Sequence, residues 1–231
     1  MPEITFKTDA GEMGGYLALP ATTPAPAILV IQEIFGVNQV MRDICDGLAA
    51  QGYVAACPDI FWRLEPGIQL TDKTEAEWAK AFDLFGRFDV DQGIEDLKTA
   101  LAVLREHPAG NGKVGCVGYC LGGKLAYLMA TRSDADCSVG YYGVQIDQLL
   151  DEADNITKPL MLHVPTKDQF VPPEAQAAMH EGLASRPSVA FHVYEGQDHA
   201  FAREGGEHFD AAAAELANSR SAAFFKQNLG G

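Results

Sequence analysis

The feature that most constrains this chain is a repeated switch in hydrophobic period. Short apolar runs suited to strands alternate with longer segments whose apolar residues fall at helical spacing. Ala27 to Ile34 (AILVIQEI) reads as a buried strand by its β-branched content, and Val37 to Gln51 as the helix after it. Val54 to Ile60 is strand-like, and a polar loop with Pro66 and Gly67 follows. Ile94, Leu97, Leu101 and Leu104 fall on one helical face. Lys113 to Gly118, Ser138 to Gly143, Pro159 to Val164 and Val189 to Tyr194 read as strands. Leu121 to Thr131, Pro173 to Ser185 and Glu207 to Gln227 read as helices.

Strands joined by crossover helices predict an α/β fold, a mostly parallel central sheet with helices on both faces. Ligands of such sheets sit beyond the carboxyl ends of the strands, so chemistry is sought there. At 231 residues and 47% hydrophobic, the chain can bury the core of one domain, expected over 1–231. No Ser/Gly-rich or Pro-rich stretch reads as a linker, and no internal repeat is visible.

The net charge of −15 and a pI near 4.7 argue against a nucleic-acid partner, because such a surface repels a phosphate backbone. An anionic substrate would need a local cation. The start, MPEITFKTDAGEMGG, lacks the basic and apolar regions of a signal peptide. No apolar run approaches the ~18 residues a membrane span needs. Five cysteines without a CxxC pair fit reduced thiols rather than a disulfide framework. The expectation is a cytoplasmic protein without a membrane partner, and a monomer, since no association surface stands out. No pair or trio shows metal-ligand spacing, so neither metal nor cofactor is expected.

The segment Gly118-Tyr119-Cys120-Leu121-Gly122-Gly123 falls where a strand meets a helix. Its spacing, G-x-nucleophile-x-G, has Cys where Ser is usual. An abrupt strand-to-helix turn forces its central residue into strained dihedrals, so the neighbours must be small. The thiol is then held at a helix N-terminus, where the dipole and free N–H groups favour the thiolate. Cys is also often just a small buried hydrophobe, the reading preferred for Cys116. Gly118 to Lys124 spells G-x-x-x-x-G-K as well, but a P-loop needs Ser or Thr next and position 125 is Leu.

An activated thiol needs a base, and the base an orienting group. In α/β-hydrolases these follow in the order nucleophile, acid, His, each past a later strand. Asp168 stands just past the 159–164 strand and His199 just past the 189–194 strand. Asp198 competes with Asp168, but it adjoins His199 and its side chain would diverge from the imidazole in an extended segment.

With these residues assembled, the chain resembles the dienelactone hydrolase family (carboxymethylenebutenolidases), which has the α/β-hydrolase fold. The resemblance runs over nearly the whole length, through QEIFGVN at 32–38, CPDIFWR at 57–63, GYCLGG, VGYYG at 139–143 and GQDHAF at 196–201. Cys in the G-x-C-x-G-G setting is fairly specific to this family. The resemblance implies that Glu33 lies against the thiol and helps deprotonate it once substrate is bound. It implies an oxyanion hole of the Leu121 and Ile34 N–H groups, and Tyr142 and Phe170 as lining residues. Arg203 matches a family arginine that grips the substrate carboxylate. One departure stands out: Trp78 falls where the family type carries a second carboxylate-binding Arg, and Phe82 replaces a Tyr. Arg63 and Arg87 are the candidates to compensate.

The expected function is therefore hydrolysis of a small, dienelactone-like lactone or ester through a Cys120–His199–Asp168 triad and a thioester. Trp78 and Phe82 prompt an alternative, a broader carboxylesterase or lactonase with little preference for carboxylated lactones. A further alternative is a non-catalytic redox or binding domain that uses Cys120 as a reactive thiol.

Overall fold

The structure, a computed structural model, describes residues 3–230, so Met1, Pro2 and Gly231 of the expected 1–231 domain lie outside it. The chain divides into two compact units, one reaching Cys116 and the other spanning Val117–Gly230.

The first unit opens with strands β1 (Glu3–Thr8) and β2 (Gly11–Ala18), which pair antiparallel and set Phe6 opposite Met13, both fully buried. β3 (Ala25–Ile31) leads to helix α1 (Gln39–Ala50), and β4 (Val54–Pro58) follows. Strand order here is β1-β2-β4-β3-β5, with β2 antiparallel and β3 parallel to β4. Every residue of β3 and β4 is buried, as expected of strands covered on both faces. α1 begins where the Asn38 side chain accepts from Met41 N–H, and it turns Met41, Cys45 and Ala49 inward at four-residue spacing. α2 (Glu75–Arg87) is capped by Thr74 and α3 (Val90–Arg105) by Asp89. The Ile94–Leu97–Leu101–Leu104 face of α3 is buried.

The second unit holds the end of β5 (Gly110–Tyr119), then α4 (Leu121–Arg132), β6 (Cys137–Tyr141), a 3-10 stretch (Ile146–Asn155), β7 (Leu160–Pro165), α5 (Pro173–Leu183), β8 (Val189–Tyr194) and α6 (Ala211–Leu229). Its strands run β5-β6-β7-β8, and β6, β7 and β8 are parallel. α4 is buried from Leu121 to Thr131, a helix enclosed on all sides.

A directed chain of hydrogen bonds crosses this core between β6, β7, β8 and α6. Arg220 can only donate, and its Nη1 lies 3.1 Å from the Tyr194 hydroxyl. Tyr194 therefore donates onward to His163 Nδ1 (2.7 Å), and His163 Nε2–H donates to Ser221 Oγ (2.9 Å). Ser221 passes its proton toward the Tyr141 hydroxyl (2.7 Å), which donates to Asn218 Oδ1 (3.0 Å). Each polar group along this chain of bonds has a partner, and His163 is fixed as the neutral Nε2–H tautomer.

The strand and helix alternation read from sequence is present, with shifted ends. The strand expected over 27–34 stops at Ile31, and the one expected over 138–143 stops at Tyr141, because Tyr142 takes a positive φ of 38°. The final helix starts at Ala211 rather than Glu207. β1, β2, α2 and the 3-10 stretch were not foreseen.

Candidate active site

Cys120 stands between the last residue of β5 and the first of α4, with φ 55° and ψ −114°. A non-glycine residue holds such dihedrals only where its surroundings over-determine them. A Cβ on Gly118 would lie 1.9 Å from the Gly122 carbonyl oxygen, and one on Gly123 would lie 2.5 Å from that of Tyr141. The turn is thus closed by backbone approaching backbone, which explains the glycines on either side of the thiol. Cys120 N–H donates to Tyr141 O at 3.1 Å and ties the turn to the end of β6. The side chain is half-buried at the start of α4, where the first N–H groups of a helix lack intrahelical acceptors.

Asp168 and His199 meet because of strand register. Pro165 at the end of β7 pairs with Tyr194 at the end of β8, so the loops beyond both strands start level. They are stitched together by Thr166 N–H to Tyr194 O (3.1 Å), Lys167 N–H to Gln197 O (2.8 Å) and Gly196 N–H to Thr166 Oγ1 (2.8 Å). Asp168 Oδ2 then lies 2.7 Å from His199 Nδ1, while its Oδ1 accepts from Phe170 N–H at 2.8 Å. The Asp198 carboxylate turns away, accepting from the His199 main-chain N–H at 2.7 Å.

His199 also hydrogen-bonds the Cys120 side chain, and with Nδ1 committed to Asp168 its Nε2 is the atom free to do so. Burial alone would depress the imidazole's affinity for a proton. The Cys120 charge, then the bonds to Asp168 and Cys120, overcome it and raise the pKa to about 10. The ring packs edge-to-face with Tyr142 (centroids 5.1 Å apart) and with Phe170 (4.8 Å). Tyr142 is buried and Phe170 partly exposed. Arg203 is buried in the loop beyond His199, its N–H bonded to Ala200 O. Ala200 itself has φ 62°.

In the first unit, Glu33 and Ile34 follow β3 and are almost wholly buried. Phe35 beside them meets the edge of Trp78 on α2 (5.0 Å, 82°), and Trp78 stacks on Phe82 (5.5 Å, 28°). The Trp78 indole N–H donates to Asp72 O at 3.0 Å. Arg63 is held by both oxygens of Asp96, at 2.9 and 2.7 Å, and stacks on Trp62, while Arg87 pairs with Asp83 on the surface. Both arginines expected to compensate for Trp78 are thus paired with carboxylates.

The second unit therefore gathers Cys120, Leu121, Tyr142, Asp168, Phe170, His199 and Arg203 within its elbow and its loops past β6, β7 and β8. The first gathers Glu33 and Ile34, which adjoin Phe35, with Trp78 and Phe82. Sequence reasoning missed Phe35 as the partner of Trp78, and the Tyr141 carbonyl as the anchor of the Cys120 N–H. Trp78 and Phe82 at four-residue spacing were the available signal for a helix there. Among the described residues, no group of three or more His, Cys, Asp or Glu is placed to hold a metal ion, and no helix is long and apolar enough to cross a membrane.

Comparison with known proteins bears on this geometry. The model of the dienelactone hydrolase family matches residues 13–229. The chain is 54% identical over 226 residues, 96% of either chain, to a protein of Azospirillum brasilense provisionally named a carboxymethylenebutenolidase. It is 40% identical over 219 residues to carboxymethylenebutenolidase 1 of Cupriavidus pinatubonensis, covering 95% of this chain and 93% of the relative. A solved structure of a provisionally named dienelactone hydrolase from Klebsiella pneumoniae is similar with a TM-score of 0.87 at 25% identity, over 97% of each chain.

Proposed function

The chain belongs to the dienelactone hydrolase family, with the α/β-hydrolase fold, and is a hydrolase of ester or lactone bonds; from that premise we propose that Cys120 is its nucleophile, served by His199 and Asp168. The observation that carries this reading is the unbroken series of contacts from Asp168 through His199 to Cys120, ending on a residue in strained dihedrals at a helix N-terminus. The family match runs through both compact units, which supports one catalytic domain.

The Cys120 thiolate attacks the ester carbonyl carbon, and the carbonyl electron pair moves onto oxygen. The Leu121 N–H, at the first position of α4, donates to that oxyanion; such a donor is worth roughly 3 kcal/mol in related systems. The tetrahedral intermediate collapses, the C–O bond breaks, and the leaving oxygen takes the His199 Nε2 proton. In a lactone the leaving group stays tethered to the acyl part. His199, now neutral and held by Asp168, takes a proton from water, and the hydroxide cleaves the thioester. The acid is released and the thiolate–imidazolium pair returns. The family resemblance gives Ile34 the second oxyanion donor, Glu33 a part in deprotonating the thiol, and Arg203 the substrate carboxylate. Tyr142 and Phe170 serve as apolar walls.

A second reading of the substrate has its own support. Where the family carries a carboxylate-binding arginine, this chain has Trp78 packed between Phe35 and Phe82, with Arg63 locked onto Asp96. Aromatic surface in that position favours neutral esters and lactones over carboxylated ones.

The nucleophile is tested by acid-quenching the protein during turnover of an aryl acetate and measuring its mass. One acetyl group on the Cys120 peptide, released by hydroxylamine, is expected. Acylation of another residue, with Cys120 unmodified, contradicts the reading.

A further inference from the structure

Lys124 is a buried lysine in a helix that has no need of one. Its neighbours on α4 from Leu121 to Thr131 are all buried, and an aliphatic side chain would fill the same space without burying a charge. The Lys124 ammonium donates to Gln145 Oε1 at 2.8 Å. Gln145 lies in the left-handed region, φ 58° and ψ 21°, three residues after Tyr142 at φ 38°. Two non-glycine residues of positive φ make the 142–145 turn one that other contacts must hold in place.

Those contacts come from the first turn of α4, at both ends of the segment. At one end, Cys120 N–H donates to Tyr141 O, and Gly123 leaves room for that carbonyl. At the other, Lys124 Nζ reaches Gln145. Between them, the Tyr142 ring packs edge-to-face with His199. The segment thus touches the residue read here as nucleophile through its backbone and the residue read as base through its ring.

We propose that Lys124 is a positioning residue: through Gln145 it latches the 141–145 segment that fixes His199 relative to Cys120. This rests on the triad reading above. The buried charge is retained because the latch needs a donor long enough to reach the Gln145 amide from α4. Removing it frees the turn to relax and moves the Tyr142 ring, which misplaces the base for the chemical step while leaving substrate binding nearly unchanged.

The test uses the whole chain and aryl acetate hydrolysis, with Lys124→Met, Gln145→Gly, Gln145→Glu and Cys120→Ala side by side. Lys124→Met is expected to lower kcat about tenfold or more, with KM within about twofold and the Tm equal or higher, because a buried charge has gone. Gln145→Gly removes the acceptor but suits a left-handed backbone, so the same kcat loss without a Tm loss is expected. Gln145→Glu keeps an acceptor of the same reach and restores kcat to within about twofold. Wild-type kcat in both Lys124→Met and Gln145→Gly overturns the latch, as does an equal loss in Gln145→Gly and Gln145→Glu. Should Lys124→Met fail to fold, the two Gln145 variants decide alone. If Cys120→Ala is inactive while the latch variants are unchanged, only this inference falls. If Cys120→Ala keeps full activity, the nucleophile reading falls and takes the latch with it.

Discussion

Asp168 Oδ2 lies 2.7 Å from His199 Nδ1, with the aspartate side chain wholly buried and the imidazole nearly so. A carboxylate so enclosed holds the ring in one orientation and one tautomer, and its second oxygen is fixed by Phe170 N–H. Asp168→Ala removes that restraint and a charge-assisted hydrogen bond worth roughly 3 kcal/mol, so kcat/KM should fall about hundredfold. Ester hydrolysis by the purified variant checks this, and a loss under about threefold would show that the ring is positioned by other contacts.

The His199 imidazolium is expected to persist through neutral pH. Burial opposes the charge, and the Cys120 charge with the Asp168 carboxylate outweighs burial, which puts the pKa at about 10. The raised value means the ring keeps its proton as pH climbs past the ordinary histidine range and loses it only around 10. Cys120→Ser takes away the sulfur whose interaction with the ring raises this value most, so the His199 pKa should fall. Nitrogen-resolved NMR of the histidine rings across pH 5–11 reads both values; an unchanged midpoint in Cys120→Ser would show that sulfur charge is not the cause.

His163 sets an acid limit on stability. Burial, then the neighbouring His192 and Arg220 charges, hold its pKa well below 6.5. The unfolded chain therefore binds a proton near pH 6.5 that the folded chain refuses. The stabilisation is complete above that pH and is lost as pH falls, at up to about 1.4 kcal/mol per pH unit. The directed hydrogen-bond chain gives the reason: a protonated His163 would donate at Nδ1, where Tyr194 already donates. His163→Gln should flatten the decline in Tm between pH 6.5 and 5 relative to the parent. Parallel curves would remove His163 from the acid response.

Trp78 should control preference between neutral and carboxylated substrates. In Trp78→Arg, the ratio of kcat/KM for a carboxylated dienelactone to that for a neutral lactone should rise about tenfold, the scale of one added ionic contact. If Trp78 served packing alone, the variant would lose stability with the ratio unchanged.

How much of this was legible in the sequence depended on whether a signal was local. The strands β3 to β7 could be read because enclosed strands are runs of apolar residues, and Gly118 and Gly123 mark the elbow because backbone atoms approach there within the space of a side chain. Asp168 and His199 could be nominated from their places after β7 and β8, since parallel strands in register deliver their loops to one level. β2 was invisible because GEMGGYLA carries three glycines and no alternation; it is a strand by virtue of its pairing with β1 and with β4, the latter distant in sequence. α2 was missed because it buries only Ala81 and Leu84, which leaves its apolar stripe too thin to count. Lys124 and Gln145 gave no signal at all, for a bond between two polar residues 21 apart has no periodicity to betray it.

The most direct test of the account is steady-state hydrolysis of an aryl acetate and a simple lactone by Cys120→Ala beside the parent protein. A fall in kcat of at least about a thousandfold on both substrates, with the fold intact by circular dichroism, is the result expected of a lost nucleophile. Turnover within about tenfold of the parent would contradict it and return the chemistry to some other group.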